Sequence, residues 1–142
     1  MFQKTIKVIA AVAAMSFMAE SQVLAAGLDG HWKMSSVRCV SRAGNSAPKY
    51  STSVNMRIKG SHFTVSGNVA GFGCQMSGSH SNRGSSIHFR ITDDGGCQMG
   101  DYLKNGFNGT VKNNRMTVVL GTSIGEMLCD NPGSSLQVVL KL

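Results

Sequence analysis

The stretch from Ser53 to Val69, SVNMRIKGSHFTVSGNV, decides the fold. Val54, Met56 and Ile58 alternate with Asn55, Arg57 and Lys59; beyond Gly60-Ser61, Phe63, Val65 and Val69 alternate with His62, Thr64, Ser66 and Asn68. Successive side chains of a strand point to opposite faces, so a period of two predicts two half-buried strands joined by a tight hairpin at Lys59-Gly60-Ser61. One face is apolar and the other polar, the pattern of an antiparallel sheet with one side on a core.

Outward from this hairpin the alternation returns in Phe72, Cys74 and Met76, in Ile87, Phe89 and Ile91, in Phe107 and Val111, in Met116, Val118 and Leu120, and in Leu136, Val138, Leu140 and Leu142. With the segment around Trp32, this predicts eight strands. The 17 Gly, and the lack of a sustained 3.6-residue apolar period, argue against helices. Short connections, at Lys59 to Ser61, Ser81 to Gly84 and Asn113-Asn114, interleave with a set containing three long ones: Ser41 to Ser51, Asp93 to Asn105 and Gly121 to Ser134. Alternate connections of an up-and-down meander fall at the same end, so one end is closed by tight turns and the other dressed with loops. Pairing the first strand with the last removes both open edges. The expected fold is all-β, an eight-stranded antiparallel up-and-down barrel.

The four cysteines fit that closure. Cys39 ends the first strand at the loop end and Cys129 lies in the loop entering the last. Cys74 starts the fourth strand and Cys97 lies in the loop leaving the fifth, at the same end. Of the three possible connectivities, two disulfides, Cys39–Cys129 and Cys74–Cys97, are expected. The spacings contain no C-x-x-C, which speaks against a zinc knuckle or a redox motif.

The chain begins with Lys4 and Lys7 ahead of the apolar run Val8 to Ala19, then the small residues Ala25 and Ala26. This is the pattern of a cleaved export signal over residues 1–26, the run being short of the roughly 20 residues that span a bilayer. A single barrel domain, 27–142, remains, with no transmembrane segment and a periplasmic or secreted location where disulfides form. Lys4, Lys7 and Glu20 fall in the leader, which leaves +6 of the formal +7 on the domain. Its Lys and Arg are dispersed along the sequence without runs, and nucleic-acid binding is not expected.

Gly30, His31 and Trp32, at the start of the first strand, form a G-x-W triplet. A G-x-W there, opening an eight-stranded meander, resembles the signature of the calycins, the lipocalins and their relatives. The resemblance implies that Gly30 and Trp32 form a structural plug at the closed end of the barrel and that the open end binds a ligand. The stretch Phe63 to Cys97, with Gly73-Cys74 and Ser77-Gly78, also resembles META domains, exported bacterial β-rich domains. The compact architecture is similar to that of calycin-type periplasmic protease inhibitors.

Chemistry-bearing patterns are sparse. There is no G-x-S-x-G, H-E-x-x-H or Walker pattern, and Asp93-Asp94 before two glycines reads as a solvated turn. No catalysis, metal or cofactor is expected. Methionine stands out instead. Met56, Met76 and Met116 share inward strand phases with Phe89, while Tyr50, Phe72, Met99, Tyr102 and Met127 fall near the loop end. Thioethers adapt to irregular apolar contacts, either in a pocket or as core filler. The expected ligand-binding residues are Met56, Phe72, Met76, Phe89, Met99, Tyr102, Met116 and Met127, and the expected function is non-catalytic binding of a small apolar or amphipathic ligand. The alternative is a protein-interaction module of the bacterial envelope, with an envelope protein as its partner. A cavity of about 300 Å³ or more would mark a carrier, and a filled interior would favour the interaction module.

Overall fold

The computed structural model describes residues 27–142; the expected leader, residues 1–26, lies outside the described residues. The strands are β1 (Gly30–Ser41), β2 (Gly44–Ser46), β3 (Thr52–Lys59), β4 (His62–Val69), β5 (Phe72–Arg83), β6 (Ser86–Asp93), β7 (Phe107–Lys112), β8 (Arg115–Leu120) and β9 (Ser135–Lys141). Two short helices, α1 (Met99–Tyr102) and α2 (Thr122–Leu128), interrupt the loops after β6 and β8. All pairings are antiparallel, and β9 joins β1 from Lys33↔Lys141 to Val40↔Ser135, closing the eight longer strands into a barrel.

Three local features differ from the sequence reading. Ser41 to Ser51 is not all loop: β2 turns back onto β1, pairing Cys39 with Ser46 and Ser41 with Gly44. It occupies an edge of β1 that β3 leaves free beyond Lys33, and its polar residues carry no alternation to announce it. The helices also depart from expectation. At four and seven residues they are too short for a sustained period, although Met99 with Leu103 and Ile124 with Leu128 have the i, i+4 spacing of one helical face. Finally, β1 has a bulge between Met34 and Ser36. The extra residue reverses the phase, so that Trp32 and Cys39, an odd number of positions apart, are both buried.

The tight turns have the backbone their residues favour. Asn113 and Asn114 take φ of 53° and 58°, the left-handed pair that a two-residue hairpin demands. At this closed end Trp32 is fully buried, and its indole Nε1 donates to the Leu28 carbonyl at 2.8 Å. The Gly60 amide in the β3–β4 turn donates to Asp29 Oδ1 at 2.9 Å, tying the first described residues to the neighbouring hairpin. Gly30 has φ of 142°, and a Cβ there would lie 2.6 Å from Leu142 Cδ1. The G-x-W triplet thus sits where the backbone of its first residue favours glycine and its third fills the floor.

Both disulfides join the expected partners at the opposite end. Cys39–Cys129 ties β1 to the end of α2, and Cys74–Cys97 ties β5 to the segment before α1. Chain-entropy estimates put such crosslinks at about 3 to 5 kcal/mol each, an upper range. The loop 42–51 is pinned as well, the Lys49 amide donating to the Leu128 carbonyl at 2.7 Å. Gly125 lets α2 press on the strand-entry segment, since a Cβ would lie 1.7 Å from the Ser134 carbonyl oxygen.

Candidate functional site

Alternation sends one side chain in two to the barrel axis, but the two halves of the interior fill differently. Toward the closed end Phe63 and Phe89 interlock with centroids 5.1 Å apart, and Phe107, stacked 4.9 Å from Phe89, covers this half and lines the cavity beyond it. Such pairs contribute about 0.5 to 1.5 kcal/mol beyond burial. Met116 and Trp32 are wholly buried in the same core. The His80 ring packs 6.1 Å from Phe89, with Nε2 2.7 Å from the Gly60 carbonyl. A carbonyl only accepts, so Nε2 carries the proton.

Toward the loop end, smaller side chains leave a cavity of about 60 Å³. Val54, Val65, Val69 and Gly67 form one wall, Val118, Leu120 and Val138 the opposite one, and Met56 and Met76 lie between. The roof comes from the loops: Met99 and Leu103 from the α1 region and Leu128 from α2. Thr52 is the one polar side chain in the lining. Val69, Cys74 and Met99 are only partly buried, so the cavity reaches the rim between β4, β5 and α1. Disulfide Cys74–Cys97 holds α1 over this mouth.

Of the residues expected from sequence to contact a ligand, Met56, Met76 and Met99 meet at this cavity. Phe89 and Met116 are fully buried in the filled half and are not part of the lining, Phe89 lying behind Phe107. Phe72 is on the inward phase of β5 but at its first residue, above the barrel wall, and is 81% exposed. Tyr102, on α1, is 51% exposed, and Tyr50 and Met127 are also exposed at this end. The sequence reading overlooked Leu103 and Leu128, whose i, i+4 spacing with Met99 and Ile124 was the available signal.

The polar groups near the mouth satisfy one another. Asp93 and Asp94 each accept from the amide two residues on, Gly95 and Gly96, at 2.9 Å. These are Asx turns, as the pair followed by two glycines implies. Among the described residues no three His, Cys, Asp or Glu side chains gather as a metal site. No family model matches the chain, and no curated protein matches it in sequence.

Proposed function

We propose that this protein is an exported, non-catalytic binding protein whose loop end accepts the apolar tail of a small amphipathic ligand. The supporting observation is the apolar cavity at the loop end, lined by the flexible thioethers of Met56, Met76 and Met99. At about 60 Å³ it is well below the roughly 300 Å³ of a pocket that engulfs a whole ligand. A narrow alkyl or acyl tail fits the reading best, with the ligand's polar part held at the rim beside Phe72 and Tyr102. Two disulfides accord with a periplasmic or secreted setting. Among the described residues no helix is long and apolar enough to cross a membrane. The lipocalin-like architecture is part of the same proposal.

Native mass spectrometry of the protein from its own compartment should find a bound small molecule, and a lipophilic fluorescent probe should bind saturably. Met76→Trp should abolish probe binding while the protein stays folded. A second reading, an envelope interaction module akin to a META domain or a protease inhibitor, is favoured by the small cavity volume together with the protruding Phe72. It gains if no probe binds and no molecule is carried.

A further inference from the structure

The outer surface of the closed end carries charge of essentially one sign. Lys59 borders the β3–β4 turn, Arg83 ends β5 at its turn into β6, and Lys112 and Arg115 flank Asn113-Asn114. In register, Lys33 opposes Lys141, Lys141 opposes Arg115, and Arg115 opposes Lys112. Four exposed cations therefore stand side by side across β1, β9, β8 and β7, on strands about 4.8 Å apart. Like charges directly opposite one another destabilise a sheet. Among the described residues Asp29 has the only acidic side chain at this end, and its Oδ1 is engaged with the Gly60 amide. Asp93, Asp94, Asp101, Glu126 and Asp130 all lie at the loop end, as do the ion pairs Lys49–Asp130 and Lys104–Asp101, each 3.9 Å.

We infer that the closed end docks on an anionic lipid bilayer. The row from Lys33 to Lys112 covers four adjacent strands of the eight, and Lys59 and Arg83, at turns in the other half, carry the charge on around the barrel. A plane of headgroups meets all of them together, whereas a linear polyanion follows one row. The end exposes no Phe, Tyr or Trp ring among the described residues, since Tyr50, Phe72 and Tyr102 are all at the loop end and its exposed rings are the small imidazoles of His31 and His62. It thus lacks the stacking platform that single-stranded nucleic acid uses. Leu142, half exposed beside Lys141, is the large apolar side chain placed to touch the interface. In this orientation the cavity mouth faces water, open to a ligand or a partner.

The test is co-sedimentation of exported protein, at low ionic strength, with vesicles of phosphatidylcholine alone or mixed with phosphatidylglycerol. Binding is expected only to the mixed vesicles and should fall as salt screens the charges. A basic residue near such a surface contributes about 1 kcal/mol, or about fivefold in partitioning, so Lys112→Gln with Arg115→Gln should weaken binding about 25-fold. Its melting temperature should hold or rise, because the substitution relieves cross-strand repulsion. Lys49→Gln with Lys104→Gln makes the same change in net charge at the other pole and should leave binding nearly intact. Equal losses from the two double variants, no binding to anionic vesicles, or retention of heparin or DNA in their place would overturn the inference.

Discussion

The closed half of the barrel and its loop half are built from the same alternating strands, yet one is packed solid and the other is not. The closed half uses Phe63, Phe89, one tryptophan and Met116, with Phe107 at its boundary with the cavity, held by the indole bond to Leu28 and the Asp29 bond to Gly60. The loop half uses valines, leucines, a glycine and methionines above Phe107, and relies on α1, α2 and two disulfides to cover what the strands leave open. Rigid rings with specific edge and stacking contacts fix one arrangement, whereas unbranched thioethers under a crosslinked roof tolerate several. Close packing is therefore concentrated at one end, and crosslinking with adaptability at the other.

The largest effect expected from this contrast is at Trp32. Trp32→Ala should lower the free energy of unfolding by about 3 to 5 kcal/mol, read by urea denaturation, and the wild-type indole should emit at short wavelength and resist iodide quenching. Val54→Ala, in the cavity wall, should cost far less; equal costs would erase the difference between the halves. Removing the mouth disulfide, Cys74→Ser with Cys97→Ser, should cost about 2 to 4 kcal/mol and reduce probe affinity together, because α1 carries Met99 and Leu103. A stability loss with unchanged probe binding would separate the roof from the cavity.

Overpacking gives a sharper comparison at smaller magnitude. Met116→Trp should destabilise by about 1 to 3 kcal/mol, as expected of a filled core, while Met76→Trp should stay below about 1 kcal/mol because space adjoins it. If the two substitutions cost the same, the loop half is as solid as the closed half and the carrier reading fails. Smallest of all, Phe72→Ser should change stability by no more than about 0.5 kcal/mol, as for an exposed side chain. On the amphipathic-ligand reading it should still weaken probe binding severalfold, measured by fluorescence titration.

Much of this was legible in the sequence. The alternation around Ser53 to Val69 and its repeats determined the strands, and the unequal connections determined which turns share an end. Those two facts alone place Cys39 near Cys129 and Cys74 near Cys97, because closure leaves each pair at one rim. They also place Trp32 at the end of the tight turns. Phase along a strand was less informative about the site: Met56, Met76, Phe89 and Met116 all face inward, and nothing in their spacing distinguishes cavity wall from packed core. That depends on which rings sit at the same level across the barrel, which pairing register sets.

The sequence by itself thus determined the meander, its closure and its crosslinks, since each follows from local periodicity and loop length. Tertiary structure decided the rest. The bulge at Ser35 let strand one bury Trp32 and Cys39 on the same side despite their odd separation. Short helices whose apolar pairs look unremarkable in a loop became the roof of the cavity. Four cations from separate stretches of the chain were brought together at the closed end, because an antiparallel meander brings every second connection to the same end and registers Lys112, Arg115, Lys141 and Lys33 side by side.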